Sequence, residues 1–417
     1  MQELLLSISF AWKSLAANSG RTLLTLSGVI IGTLAILSVA AFGDAVEGYV
    51  LDEVNSFGND TIQIEVKVPS TSKNSSANAI GIAQGIQITT LTEDDAKAVA
   101  KLSNVRAFYG GILGQSLASY REINKRVTLL GASASAPVVD ANIRVDQGDF
   151  YSAADEESTS QVVVLGSNVR ESFFGDTDPI GKTIKLQGKN YRVVGTLEKR
   201  GSSGFVSFDD FAYVPLRTMQ KKILGIDYVS FITVRTRDET KVAETALDIE
   251  SILRDRHDIR DPLKDDFAVT TIKEAQDLVS TVFGAVQLLL LALASISLVV
   301  GGVGIMNVMF VSVAERLGEI GLRKAVGARP KDILRQFLLE ACVVATAGGA
   351  LGIVLAFLLL SAVRLGLSAI GFSVPVGVSL SNLLLAIGFA GVAGIVFGIY
   401  PAWKASRITP VQAIRGG

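Results

Sequence analysis

Long uncharged apolar runs alternate with polar stretches along this chain and predict four membrane-spanning helices. The first run covers residues 22–43, and as a helix of 22 residues it would be about 33 Å long, enough to cross the ~30 Å hydrocarbon core of a bilayer. After Asp277 no charged residue occurs before Glu315, and a helix over this gap of 37 residues would be about 55 Å long. We therefore expect residues 278–313 to form an external stalk that continues into the second span.

Two further apolar runs, residues 336–363 and 382–402, predict the third and fourth spans. Each of the four runs has basic residues near one of its two ends, and in a four-span arrangement these ends lie on the same side of the membrane. By the positive-inside rule this predicts a multi-pass protein of the inner (cell) membrane with both termini, including a tail at 403–417, in the cytoplasm. Residues 1–21 are moderately amphipathic and form either an interfacial helix or a simple leader. Residues 38–40 resemble a signal-peptidase site, but the length of the first run and the three later runs favour an uncleaved span.

The polar stretch between the first two runs, residues 44–277, predicts one large external domain. Two β-α-β patterns flank it, at 44–120 and 229–277, and the segment between them, 121–228, alternates apolar and polar residues as short strands do. Four apolar residues of the second predicted helix recur on one face: Val242, Ala246, Ile249 and Leu253. Two such halves can pair into one α+β domain, with the β-rich middle segment as an inserted subdomain. The predicted fold class is an α-helical four-span transmembrane domain plus an α+β extracytoplasmic domain.

The charged segment between the second and third runs, residues 314–335, predicts a short helix and a loop. Glu319 and Arg323 are four residues apart in the order that stabilises a helix. Gly327 is a candidate helix end, and Pro330 forbids a smooth continuation and is a candidate start for the next helix. By charge alone an ordinary cytoplasmic loop explains the segment, and the alternative is a helix that docks on a partner.

Charge is divided along the chain in a way that fits a membrane protein. Residues 44–278 contain 27 basic and 35 acidic residues, whereas the rest of the chain contains 12 basic and 5 acidic residues. The basic residues of the second group lie at the ends of apolar runs, so they do not form a nucleic-acid-binding patch. The composition, 49% hydrophobic and 19% charged, is apolar for a soluble protein.

The sequence offers no candidate catalytic, metal-binding or cofactor-binding residues. His257 is the single histidine and Cys342 the single cysteine, so a soft-metal cluster and an intramolecular disulfide are excluded. We expect His257, in a polar stretch, to be a solvated surface residue. The segment GDTDPIGKT, residues 175–183, imitates a phosphate-binding loop, but five residues instead of four separate its first glycine from Gly-Lys. We interpret it as a turn.

Several motifs resemble those of MacB-type and FtsX-like permeases, the membrane subunits of a class of ABC transporter. The strongest resemblance is at residues 302–328. It includes most of the motif SVAERLGEIGLRKAVGAR, which ends at Arg329. NSGRTLLTLSGVIIG at 18–32, FGDTDPIGKTIKLQGKNYRVVG at 174–195 and FGIYPAWKASRITPVQAIR at 397–415 extend the likeness over nearly the whole chain. The resemblance implies that the external halves are porter-like and the insert Sabre-like.

The same resemblance implies a mechanism and its partners. It implies a homodimer in which the charged segment is a coupling helix that docks on an ABC ATP-binding subunit. Only 21 residues precede the first span, so we expect the split arrangement, in which a separate ATPase subunit carries ATP and Mg²⁺ and this chain carries no cofactor. ATP binding would move the external domains through the stalk and export antibiotics, peptides or lipids, with a periplasmic adaptor as a further partner. The implied coupling residues are Glu315, Arg316, Leu317, Glu319, Ile320, Arg323 and Lys324.

Two other functions remain open from the sequence. The same four-span arrangement could act as a signalling device that activates a cell-wall hydrolase, or as a lipoprotein-release permease. FtsX-like proteins usually have a smaller external domain, so the large block at residues 44–278 favours the exporter. A membrane-anchored enzyme with an external active site is the third hypothesis, and the presence of only one histidine argues against it.

Overall fold

The computed structural model describes residues 19–69, 88–200, 202–203, 206–369 and 377–415. The predicted N-terminal amphipathic segment therefore lies almost entirely outside the described residues. The chain divides into two compact units. We call Val50–Val279 the external unit, and Met1–Tyr49 together with Ser280–Gly417 the helical unit.

The elements alternate between strands and short helices in the external unit and are long helices elsewhere. The strands are β1 Thr61–Val66, β2 Val105–Tyr120, β3 Ile123–Ala132, β4 Val145–Gly148, β5 Val162–Leu165, β6 Thr183–Leu186, β7 Lys189–Leu197, β8 Ser202–Ser203, β9 Val206–Ser207, β10 Phe211–Pro215, β11 Phe231–Thr236 and β12 Phe267–Thr271. The helices are α1 Ser19–Ser56, α2 Glu93–Val99, α3 Ala136–Val139, α4 Ala153–Glu157, α5 Ser167–Phe174, α6 Leu216–Thr218, α7 Val242–Arg256, α8 Ile272–Glu315, α9 Leu317–Ala325, α10 Pro330–Ala369, α11 Leu380–Arg407 and α12 Pro410–Arg415. A π-helical turn, Met219–Leu224, follows α6.

The two predicted β-α-β patterns form one antiparallel sheet. Its strand order is β12-β1-β11-β2, so each half contributes strands that pair with strands of the other half. This interleaving is that of a ferredoxin-like split β-α-β fold. The predicted apolar face of α7 is buried, as expected, through Val242, Ala246, Ile249 and Leu253. The start of α2 also agrees with the sequence, because the Asp95 carboxylate accepts hydrogen bonds from the main-chain N–H and the hydroxyl of Thr92.

The inserted segment is β-rich as predicted, and most of its strands extend the same sheet, whereas β8 and β9 pair with each other in a separate two-stranded sheet. The long strand β2 provides the continuity, because its first half pairs with β11 and its second half with β3. From β3 the sheet continues through β10, β5, β7 and β4. The segment that imitates a phosphate-binding loop joins α5 to β6 through Gly175 and Gly181, both with positive φ. A strand and not a helix follows it, which confirms the turn.

The last turn of α1 is held in the external unit by the inserted segment. Asn142 donates a 2.8 Å hydrogen bond to the carbonyl of Ser56, which ends the helix. Arg200 pairs with Asp140 at 3.2 Å, and its guanidinium lies 4.0 Å from the centre of the Phe208 ring and 5.3 Å from that of Phe57. These contacts join the helix end to loops that follow β3 and β7.

His257 is buried, so the expectation of a solvated histidine was wrong. Its side chain is 7% exposed, its Nδ1 lies 2.8 Å from an Asp266 oxygen, and its Nε2 lies 3.5 Å from Asp95. Hydrogen bonds that the imidazole donates, first to Asp266 and then to Asp95, raise the pKa of His257 to about 9. The sequence missed this site because the end of α7 packs against α2 and the start of β12, two contacts that the local polar composition does not reveal.

The helical unit contains four helices among the described residues that are long and apolar enough to cross a membrane: α1, α8, α10 and α11. They pack through small residues. A Cβ added to Gly28 of α1 would lie 2.4 Å from the Cα of Gly301 in α8, so the two backbones are in direct contact. Gly398 of α11 faces Ala341 of α10 in the same manner, with a Cβ distance of 2.4 Å. The predicted fold class is confirmed, and α8 is one unbroken helix of 44 residues.

Candidate functional site

The charged segment between α8 and α10 folds as the sequence predicts. Helix α9 ends in a Schellman motif, in which the N–H of Ala328 bonds to the carbonyl of Arg323 and that of Gly327 bonds to Lys324. Gly327 has a φ of 106°, a value that glycine adopts without strain. The next helix begins at Pro330, and Asp332 accepts a 3.0 Å hydrogen bond from the N–H of Arg329. Both predicted boundaries are confirmed.

One side of α9 packs against the rest of the helical unit. Ile320 is buried, and Gly321 lies so close to α12 that an added Cβ would be 2.4 Å from the Cβ of Ala413. Leu317 is half-buried. Because glycine is required at this crossing, α9 is seated on the C-terminal segment instead of projecting freely.

Three basic residues of the segment, Arg316, Arg323 and Lys324, make side-chain hydrogen bonds within this chain. Arg316 donates to Glu340 of α10 at 3.2 Å. Arg323 donates to Glu319 at 2.6 Å and also to Gln336 of α10.

Lys324 reaches the end of the fourth long helix. Its ammonium group donates to the carbonyl of Ser406 and, at 2.7 Å, to that of Ile408. Carbonyls in the last turn of a helix have no partner within the helix, so Lys324 acts as a cap for α11. Burial lowers the pKa of Lys324 below its usual value. The site thus joins α9 to both α10 and α11.

The opposite side of α9 is exposed and carries apolar side chains. Leu322 is 67% exposed and Val326 is 83% exposed. They share this side with Gly318, Glu319 and Ala325, which are also exposed. We call these five residues the outward face of α9.

The structure therefore separates the predicted coupling residues into two groups. Glu315 and Glu319 are exposed, whereas Ile320 is buried, Leu317 is half-buried, and the three basic residues bond to neighbouring elements. Sequence reasoning missed Leu322 and Val326. A pattern in the sequence that could identify them is their spacing of four residues. It places both side chains on one side of the helix, opposite the half-buried Leu317 and Lys324. Among the described residues, no group of three or more His, Cys, Asp or Glu side chains could hold a metal ion.

Comparison with known families and proteins matches both parts of the chain. Residues 22–252 match the MacB-like periplasmic core domain, and residues 291–410 match the FtsX-like permease C-terminal domain. The macrolide export ATP-binding/permease protein MacB of Bdellovibrio bacteriovorus is 32% identical over 100% of this chain and 62% of its own length. The pyoverdine export ATP-binding/permease protein PvdT of Pseudomonas savastanoi is 33% identical over 99% of this chain and 60% of its own length.

A solved structure, the periplasmic region of MacB from Actinobacillus actinomycetemcomitans, has a TM-score of 0.46 and 21% identity, and covers 55% of this chain and 97% of that one. The chain spans about three fifths of the length of the curated relatives that it matches. The names of these relatives combine ATP-binding with permease functions.

Proposed function

The chain belongs to the MacB-like, FtsX-like family of ABC exporter permeases, and from this membership we propose that it couples ATP hydrolysis by a separate subunit to motion of its external unit. In this proposal the outward face of α9 docks on the ATP-binding subunit, which holds ATP and Mg²⁺. The observation that carries the proposal is the exposure of Leu322 and Val326 on a helix that is otherwise tied to its own chain. Exposed apolar side chains that lie together on one side of a helix are typical of a protein interface.

The connections of α9 support a transmitting role. A displacement of α9 would reach α8 and α10 through the chain itself, and α11 through Lys324. Gly321 and Ala413 leave no gap between α9 and α12, so these two helices would move together. The basic residues therefore serve to position α9, whereas the apolar residues of its outward face make the contact.

Helix α8 supports the transfer of this motion out of the membrane. It is continuous over 44 residues, about 66 Å at the usual rise per residue, roughly twice the thickness of a hydrocarbon core. It follows β12 directly, and Glu274 caps its start by accepting a 2.8 Å hydrogen bond from the N–H of Thr271. A rigid helix that begins at the edge strand of the external sheet would carry motion to that sheet without a flexible joint.

Substrates and further partners belong to the same proposal. The names of two relatives specify export of macrolides and of pyoverdine. We propose export of a compound of this kind, by a homodimer in the inner membrane with cytoplasmic termini, with a periplasmic adaptor protein as a further partner.

Co-purification of the full chain with its ATP-binding subunit tests the docking step. We expect Leu322→Glu to reduce recovery of the subunit at least about tenfold, because it places a charge in an apolar contact, which costs more than about 1.4 kcal/mol. Leu247→Glu is the matched control, since Leu247 is 64% exposed on α7 of the external unit. Full recovery with Leu322→Glu and with the double variant Leu322→Glu, Val326→Glu would refute docking through this face.

A further inference from the structure

Along one face of α11 the exposed side chains change from apolar to aromatic to basic. This is the order in which a membrane changes from hydrocarbon to headgroups. Three exposed apolar residues, Val392, Val396 and Ile399, are followed on the same side by Trp403 and then by Arg407. Their spacing of three or four residues keeps all five on one side of the helix. The side chains therefore pass from hydrocarbon-like through aromatic to basic within four turns.

Aromatic rings hold the two basic side chains at the end of this face. The Arg407 guanidinium lies 4.1 Å from the centre of the Trp403 ring, and the Lys404 ammonium lies 5.3 Å from the centre of the Phe310 ring on α8. Tyr400 joins the two sets, with its ring 5.7 Å from that of Phe310 and 6.4 Å from that of Trp403. Cation–π contacts of this kind orient a charge without neutralising it.

Neither cation has an acidic partner among the residues that the structure describes. Basic residues near a helix C-terminus often donate hydrogen bonds to its last carbonyls. In α11, Lys324 donates these bonds, to the carbonyls of Ser406 and Ile408. Lys404 and Arg407 are both exposed. Two uncompensated positive charges thus lie directly below an exposed apolar surface.

We propose that Trp403, Lys404 and Arg407 bind the anionic headgroup of a membrane phospholipid, whose acyl chain lies along Val392, Val396 and Ile399. Charge complementarity favours an acidic headgroup over a zwitterionic one. The apolar row directly above the cations favours a lipid over an acidic protein surface, which would leave that row uncovered. Aromatic residues beside such cations are usual at the boundary between hydrocarbon and headgroups.

The site adjoins a contact that the proposed coupling mechanism uses. Ser406 lies between the two cations and its carbonyl accepts from Lys324. A headgroup bound to Lys404 and Arg407 would brace the last turn of α11, where α9 is attached. Binding of the lipid does not itself depend on the coupling mechanism, so it can be tested in the absence of an ATP-binding subunit.

Quenching of Trp403 fluorescence by brominated lipids tests the proposal on the full chain. The chain has two tryptophans, Trp12 and Trp403, so Trp12→Phe leaves Trp403 as the single fluorophore. The protein is reconstituted in phosphatidylcholine vesicles, into which brominated phosphatidylglycerol or brominated phosphatidylcholine is titrated. We expect brominated phosphatidylglycerol to quench at a concentration at least about fivefold lower than brominated phosphatidylcholine does. One basic residue near an anionic surface increases binding by about this factor.

Three comparisons make the result decisive. Lys404→Gln with Arg407→Gln should bring the two lipids to equal quenching. Arg329→Gln with Lys331→Gln, the same charge change at exposed positions around the start of α10, should leave the preference intact. Inorganic phosphate should not compete. Three results would each overturn the proposal. They are equal quenching by both lipids in the unsubstituted site, full competition by phosphate, and no quenching because a second protein copy covers the apolar row. Native mass spectrometry of the unsubstituted chain, counting retained phosphatidylglycerol against phosphatidylcholine, gives the same answer if a variant does not fold.

Discussion

At the scale of single residues, Lys324 has the most consequential environment in the coupling segment. Its ammonium group lies between two main-chain carbonyls at the end of α11, where no other cation is bonded among the described residues. Hydrogen bonds from a charged donor each contribute about 1.5–3 kcal/mol in proteins, and removal of the donor leaves both acceptors without a partner. Lys324 is therefore expected to hold the last turn of α11 and helix α12 in place.

Lys324→Met should release this end of the molecule without preventing docking. We expect amide hydrogen exchange at residues 405–413 to become at least about tenfold faster, which corresponds to a loss of about 1.4 kcal/mol or more. Recovery of the ATP-binding subunit in co-purification should stay normal. Lys331→Met, which removes an exposed lysine, is the control and should change neither. Unaltered exchange in Lys324→Met would show that the contact does not stabilise this turn.

His257 predicts a pH dependence for the external unit. Its pKa is raised from 6.5 to about 9, so its stabilising effect is complete below about pH 6.5 and is lost as the pH rises through 9. Burial raises the pKa values of Asp95 and Asp266, but hydrogen bonds, with those from His257 foremost, outweigh it and lower both. The contribution of the aspartates is present above about pH 4 and is lost as the pH falls below it.

His257→Gln should remove the alkaline part of this dependence. We expect the free energy of unfolding of the external unit to fall by at most about 3 kcal/mol at pH 6.5, and by much less at pH 9.5. Pulse proteolysis of the full chain in urea, followed with an antibody to the external unit, measures the difference. A variant that is equally destabilised at both values of pH would contradict the assignment of a charged His257.

At the scale of elements, the contact of α1 with α8 depends on paired glycines. A methyl group on Gly28 would lie 2.4 Å from the Cα of Gly301, and main-chain atoms cannot yield as a flexible side chain would. Gly28→Ala should therefore lower the melting temperature of the detergent-solubilised chain by several degrees. Gly48→Ala, on the same helix with no atom within 4 Å of the added carbon, should have no such effect and gains helix propensity. Equal melting temperatures would argue against tight packing of α1 on α8.

The elements also show which features a sequence can predict. The helix over residues 278–313 is predictable because hydropathy and charge are local signals, and the same holds for the apolar face of α7. The end of α9 was predictable because a glycine followed by a nearby proline has a local meaning.

Features that depend on contacts between distant residues could not be predicted. Lys324 donates hydrogen bonds to carbonyls 82 and 84 residues away, and no local pattern around Lys324 indicates these contacts. The continuation of the external sheet through the insert depends on β3 pairing with β10 in parallel, a contact between residues about 80 positions apart in the sequence. His257 was misplaced for the same reason.

At the scale of the whole molecule, we propose that α8 is the element that carries motion from the helical unit to the external unit. The helix has no proline, and its described backbone is helical from Ile272 to Glu315. A flexible insertion would remove its stiffness while leaving the outward face of α9 unchanged. Four glycine residues inserted between Ser280 and Thr281, beyond the charged start of the helix, make this change.

The most direct test is a distance measurement within one chain of the reconstituted complex. Spin labels are attached at Leu247→Cys and Leu365→Cys, both exposed, in a Cys342→Ser background. We predict that ATP changes the distance distribution between the labels in the chain with an intact α8. The glycine insertion should abolish this change while ATP hydrolysis continues. An ATP-dependent change of the same size in both chains would show that α8 does not transmit the motion, and would contradict the account.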